Sequence, residues 1–129
     1  MKRRLLVCLG ILVFLSFQNA GAQAAYNPAI ARPIELLNQR VLGQAQVFVA
    51  AQNFAGAKKA FSRILHSNDI LVRMRAPGGQ QNAWDSANRK LMTSAMQGYA
   101  AAKHANLPKL QDSLKLLQQA LVQQKSLTG

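Results

Sequence analysis

After residue 28, apolar side chains recur every three or four positions, which is the repeat of one face of an α-helix. The clearest series is Leu110, Leu114, Leu117 and Leu121. β-branched residues are scarce and strict alternation of apolar and polar residues is absent, so no segment favours a β-strand. Ala, Leu, Gln and Lys dominate instead, and all four are good helix formers. The pattern therefore predicts an all-α fold.

Turn-forming residues divide this pattern into four predicted helices. Ala76-Pro77-Gly78-Gly79 is the clearest interruption, and shorter links lie near Asn53 and Asn106. The predicted helices cover about residues 29–51, 53–74, 83–105 and 108–125. Ser67-Asn68-Asp69 interrupts the apolar series of the second helix, and the sequence leaves open whether this segment breaks the helix. Short, long and short links favour an up-down-up-down four-helix bundle, with two stacked helical hairpins as the alternative.

The first 24 residues have the features of a secretory signal peptide. Three basic residues precede an apolar run of 13 residues, Leu5–Phe17, which is shorter than the roughly 20 residues that a membrane-spanning helix needs. Ala22-Gln23-Ala24 then matches the small-residue pattern that signal peptidase cleaves. We predict cleavage after Ala24, an uncleaved anchor being the alternative, and a single domain at 25–129 in the periplasm or secreted. No later apolar run is long enough to span a membrane.

The predicted mature chain is strongly basic because acidic residues are scarce. Without residues 1–24 it has 13 Lys and Arg against 4 Asp and Glu, and it has no cysteine. Amides occupy many polar helix positions in place of glutamates: Gln39, Gln44, Gln46, Gln52, Gln118, Gln119, Gln123 and Gln124. A surface with this charge attracts anions over long distances.

Basic residues on and just after the second predicted helix form the candidate binding surface. They are Lys58, Lys59, Arg63, Arg73 and Arg75. In an exported protein, the expected ligand is an anionic envelope component, such as a lipid head group or a wall polymer, or else an acidic partner protein. Nucleic acid would satisfy the charge alone, but the few aromatic residues offer little surface for base stacking, so it is not expected.

No arrangement typical of a catalytic site is visible in the sequence. The four acidic residues fall one in each predicted helix: Glu35, Asp69, Asp85 and Asp112. The chain has no G-x-S-x-G elbow, no S-x-x-K pattern and no glycine-rich phosphate loop. We therefore predict a binding protein that is not an enzyme.

The layout of the chain resembles that of the soluble periplasmic b-type four-helix-bundle cytochromes. The similarity covers nearly all of the mature chain and includes the placing of the short, long and short links and the helix starts at 53–61 and 106–117. It implies a four-helix fold in the periplasm. That family holds haem between a Met early in helix 1 and a His near the end of helix 4, where this chain has residues such as Asn38 and Ser126. Haem carriage with different ligands is therefore only an alternative function.

Copper is a second alternative cofactor. His66 and His104 are the only histidines, and they would have to meet across the second and third helices beside Met92 or Met96. Thioether sulfur suits Cu(I), but no paired histidine spacing supports a metal site. The two methionines are instead expected to fill gaps in the core. The prediction is that the mature protein holds no cofactor.

Overall fold

The computed structural model describes residues 24–128, so the predicted signal peptide lies outside the described residues except for Ala24. Four α-helices form this part of the chain: α1 (Pro28–Ala50), α2 (Phe54–Val72), α3 (Gln81–Lys103) and α4 (Leu107–Thr128). Consecutive helices pack against one another, and α4 closes the ring against α1. The fold is all-α and has the predicted four-helix-bundle arrangement. No helix within residues 24–128 is both long enough and apolar enough to cross a membrane.

Asparagine side chains begin three of the four helices. Asn27 Oδ1 accepts a hydrogen bond from the Ala29 N–H at 3.0 Å, and Asn53 Oδ1 accepts one from the Gly56 N–H at 2.9 Å. Asn106 Oδ1 accepts from the Lys109 N–H at 3.2 Å in the same way. Each of these bonds satisfies one of the N–H groups that the first turn of a helix leaves without a partner.

The long link between α2 and α3 turns on two adjacent glycines. Gly78 and Gly79 have φ values of 59° and 74°, a region that glycine enters without the steric cost of a Cβ atom. The start of the described chain is attached to this link. The Arg75 N–H donates to the Ala24 carbonyl at 2.7 Å, and the Ala24 N–H donates to the Arg73 carbonyl at 3.2 Å.

The core divides into two clusters along the bundle axis. The larger one is centred on side chains that are fully buried, including Phe61, Ile64, Leu91 and Leu117. A smaller cluster surrounds Trp84, at the pole where α2 ends and α3 begins. The apolar stripes predicted from the sequence therefore do face the interior of the bundle.

The structure answers the open question about α2 and corrects the predicted end of α4. Helix α2 continues through Ser67-Asn68-Asp69 without a kink or an end, because the Ser67 hydroxyl and the Asn68 side chain bond to partners inside the bundle. Helix α4 extends to Thr128 rather than ending near residue 125. Contacts with α1 hold this last turn, since Arg32 Nη2 donates to the Thr128 carbonyl at 3.3 Å.

Candidate binding surface

The five candidate residues fall into two groups along α2. Lys58, Lys59 and Arg63 lie in the first half of the helix and form what we call the proximal group. Arg73 and Arg75 follow the last residue of the helix and form the distal group. At 1.5 Å per residue, Lys59 and Arg73 are about 21 Å apart along the axis. The structure therefore does not gather all five residues into one cluster.

Three of the five cations share the solvent-facing side of α2. Lys59, Arg63 and Arg73 are all exposed, and their spacing keeps them within about 80° around the helix axis. His66 is exposed on the same line. Its Nδ1 lies 2.9 Å from the Ser62 carbonyl, and because a carbonyl only accepts, Nδ1 is the donor and Nε2 is left for solvent. The outer side of α2 therefore has cations at both ends, with His66 and the 46% exposed Ile70 between them.

The two groups differ in how far their charge is neutralised. Arg73 Nε donates to Asp69 Oδ2 at 3.0 Å, one helical turn away. This is the only ion pair within 4.0 Å in the part of the chain that the structure describes. The proximal group consequently has no acidic partner within that distance. An anion approaching α2 therefore meets unneutralised positive charge at the proximal group and partly neutralised positive charge at the distal group.

An aromatic ring from α3 holds one of the proximal cations. Lys58 Nζ lies 5.9 Å from the centre of the Tyr99 ring, which is the range of a cation–π contact. Lys58 is half-buried, whereas Lys59 and Arg63 are exposed. The sequence alone places Tyr99 on the apolar stripe of its helix and gives no sign of this contact. The contact therefore links the proximal group to α3.

The histidine and methionine set does not come together. Phe61 of α2 lies against Gly98 of α3, and the two histidines lie on opposite sides of this contact. Five residues separate His66 from Phe61 and six separate His104 from Gly98, in opposite directions along the bundle. The two histidines are therefore about 16 Å apart along the axis. Met92 is half-buried and Met96 is 57% exposed, so the expectation that Met96 fills the core is wrong. Within residues 24–128 no group of three or more His, Cys, Asp or Glu side chains is placed to hold a metal ion.

A layer of buried amides crosses the bundle at the level of Asn68. Each helix contributes one side chain, and all four are at most 3% exposed: Asn38, Asn68, Asn88 and Gln124. Asn68 is the centre of this amide layer. Its Oδ1 accepts from Asn38 Nδ2 at 3.3 Å and from Gln124 Nε2 at 3.1 Å, while its Nδ2 donates to Asn88 Oδ1 at 3.2 Å. The sequence-based prediction that Gln124 lies on the polar surface is therefore wrong.

The position of the amide layer follows from helical spacing. Asn68 lies four residues after Ile64 and three before Leu71, both of which are buried. The other amides occupy the same kind of position within their own apolar series. Buried amides are costly unless they are hydrogen-bonded, and here each helix supplies partners for the others. One donor, Asn88 Nδ2, is buried without a partner.

The positions that match the haem ligands of the b-type cytochromes do not fit an axial ligand set. Asn38 lies in the amide layer, where it accepts from the Ser67 hydroxyl and donates to Asn68. Ser126 is exposed, and its Oγ donates to the Gln123 carbonyl at 2.7 Å. Neither side chain offers the imidazole or thioether that axial ligation in that family uses.

Glu35 is a buried acidic residue of α1 that lies against the end of α4. Its Oε1 accepts a hydrogen bond from Thr128 Oγ1 at 3.1 Å, while its Oε2 is buried without a partner. Loss of hydration on burial raises the pKa of Glu35, although Thr128, Arg32 and Lys125 each act to lower it. Folding therefore favours the protonated form of the Glu35 carboxyl more than water does.

Replacing Glu35 with Gln is expected to stabilise the protein at neutral pH, because the amide avoids the cost of burying a charged carboxylate. A carboxyl whose pKa is raised by folding stabilises the folded state fully below its unfolded pKa, and this stabilisation is lost as the pH rises through the folded pKa. The wild type should therefore lose stability relative to Glu35→Gln as the pH rises above the ordinary value of 4.5. Urea unfolding over a pH series measures this difference. Parallel pH profiles would contradict it, and the exposed Asp112→Asn change is the control.

Comparisons with protein-family models, curated proteins and solved structures found no match to this chain. The function is therefore inferred from the geometry of the molecule. Its strongest feature is the proximal group of Lys58, Lys59 and Arg63, which has no acidic partner within 4.0 Å and lies beside an aromatic ring.

Proposed function

We propose that this protein is exported and binds, without catalysis, an anionic component of the cell envelope through the proximal and distal groups, which together we call the basic side of α2. The observation that supports this most is the unneutralised charge of Lys58, Lys59 and Arg63. Charges without a partner in the folded protein remain available to a ligand. An acidic partner protein is the second class of ligand that the same surface suits. The predicted signal peptide supports export, since it would deliver the protein to the compartment where such anions are exposed.

The chemistry of the proximal group suits phosphate or carboxylate groups. A guanidinium such as that of Arg63 can donate two parallel hydrogen bonds to such an anion, whereas the lysine ammonium groups act as point charges. Lys59 and Arg63 are one helical turn apart and both are exposed, so one anionic group can contact both. The distal group is expected to contribute less, because Arg73 already donates to Asp69.

Binding to vesicles that contain phosphatidylglycerol tests this proposal. Changing Lys58, Lys59 and Arg63 to Gln should weaken binding by roughly 10- to 100-fold at low salt, since each cation near an anionic membrane contributes about 1 kcal/mol. The same variant should show a shallower dependence on salt. Changing Arg73 and Arg75 to Gln should weaken binding less than the proximal change does.

A charge-matched variant provides the control. Changing Lys103, Lys109 and Lys115 to Gln removes the same charge from α3 and α4 and should weaken vesicle binding by no more than about threefold. Equal losses in the two triple variants would show that net charge alone, and not the side of α2, governs binding. That result would overturn the proposal.

A further inference from the structure

The contact between α1 and α4 leaves a groove on the side of the bundle opposite the α2–α3 contact. The α1–α4 contact is the least extensive of the four contacts between neighbouring helices. A depression of about 430 Å³ lies along it and adjoins a second one of about 190 Å³, and both are lined by Gln39 and Lys125. From Arg32 to Leu42 the groove follows α1 for about 15 Å, or roughly three helical turns.

The groove combines an apolar floor with an apolar rim. Leu42 and Leu121 form the floor and are 7% and 4% exposed, whereas Leu36 and Val122 on the rim are 59% and 65% exposed. Together with Val47 on the same side of α1, these rim residues are the most exposed large apolar side chains in the described chain. Apolar side chains that are this exposed beside a groove are typical of a protein-binding surface.

The charge around the groove favours an acidic occupant. Arg32 and Lys125 line it, and the only acidic residue among its lining, Glu35, is buried and bonded to Thr128. Arg40 is exposed one helical turn beyond Leu36. A bound segment with acidic residues beside its apolar ones would therefore place opposite charges next to these cations.

The shape and the charge disfavour two other occupants. The floor lies in a recess between the helices, so it receives inserted side chains better than it contacts the flat surface of a bilayer. A second copy of this chain would bring the same cations, Arg32 and Lys125, to the groove, and like charges brought together disfavour association.

We propose that the α1–α4 groove binds an amphipathic helix of a partner protein, with acidic residues beside the apolar face of that helix. The straight course of the groove between two antiparallel helices suits a helix with apolar anchors at every third or fourth position. This site is separate from the basic side of α2, so the protein would contact an envelope anion on one side and a partner protein on the other.

A designed helical peptide is the probe for this proposal. It consists of about three heptads, with Leu at the a and d positions and Glu flanking them. The comparison peptide has the same composition in an order that leaves no apolar face. Fluorescence anisotropy should show binding of the first peptide to the wild type and at least about tenfold weaker binding of the second. Equal binding of the two peptides would show that only charge attracts them and would overturn the proposal.

Substitutions on the rim locate the contact. Changing Leu36 and Val122 to Gln should weaken binding of the amphipathic peptide by about tenfold or more. The matched control changes Ile70 and Met96, which are also exposed but lie on α2 and α3, and should leave the affinity within about twofold. Equal losses in the two variants would overturn the proposal.

Two further measurements separate the other occupants and the function proposed for α2. A rim variant that loses vesicle binding but keeps peptide binding would identify a membrane contact, and a wild-type dimer that the rim variant abolishes would identify a second copy. Either result overturns the helix proposal. The Lys58, Lys59 and Arg63 variant should keep peptide binding within about threefold, so failure at α2 and failure at the groove are distinguishable.

Discussion

Replacing Gly98 with Ala is expected to destabilise the protein by about 3 kcal/mol. A Cβ atom at this position would lie 2.3 Å from Phe61 Cε1, 2.5 Å from Cζ and 2.6 Å from Cδ1. The Phe61 ring is fully buried in the larger core cluster, so it has no free space into which to move. Close-packed interiors accommodate an added methyl group only by strained side-chain or backbone positions. Thermal unfolding should show a decrease in Tm of roughly 12–20 °C.

A second glycine offers a matched control for this change. Gly43 lies within α1, and a Cβ atom there would meet nothing within 4 Å. Gly43→Ala should therefore stabilise the protein by up to about 1 kcal/mol, because alanine is the better helix former. Replacing the Phe61 ring with the smaller side chain of Leu in the Gly98→Ala background should relieve the clash. The double variant should therefore lose less stability than the sum of the two single changes. Similar Tm changes for Gly98→Ala and Gly43→Ala would contradict the packing that the structure shows.

Replacing Asn68 with Leu is expected to destabilise the protein by about 2–4 kcal/mol, although the new side chain is apolar and similar in shape. The change leaves Asn38 Nδ2 buried without an acceptor, and it removes one of the two acceptors of Gln124 Nε2. A buried polar group that has lost its partner keeps the full cost of its lost hydration. Asn82, which is exposed in α3, provides the control, and Asn82→Leu should change stability by no more than about 0.5 kcal/mol.

Replacing the whole amide layer should reverse this loss. When Asn38, Asn68, Asn88 and Gln124 are all changed to Leu, no amide remains without a partner, and much of the stability lost in Asn68→Leu should return. Urea unfolding of the single and fourfold variants measures this coupling. A fourfold variant that is destabilised by the sum of four single changes would contradict the interdependence of the four side chains.

The four helices were predictable because their apolar residues repeat at helical spacing, but the amide layer was not. Asn68 is polar and a weak helix former, so the residues around it raise the question of a break in α2. Its burial depends on Asn38, Asn88 and Gln124, which lie 30, 20 and 56 residues away in the sequence. Such partners become neighbours only when the bundle is assembled. The extension of α4 to Thr128 likewise depends on Arg32 and Glu35 of α1.

The cations of α2 could be listed from the sequence, but their arrangement in space could not. Counting charges identified the cations of α2, because acidic residues are so few. The division into two groups follows from the length of α2, and the neutralisation of Arg73 follows from the position of Asp69 one turn earlier. The contact between Lys58 and Tyr99 joins two helices, so it required the packing of α2 against α3.

Amide chemical-shift mapping of residues 25–129 tests whether the basic side of α2 binds anions. The protein is titrated with a short-chain phosphatidylglycerol, and shift changes are assigned along all four helices. We expect the largest changes between Lys58 and Arg63 and around Tyr99, with smaller ones near Arg73. Changes that spread evenly over the helices, or that concentrate between Lys109 and Lys115, would contradict it.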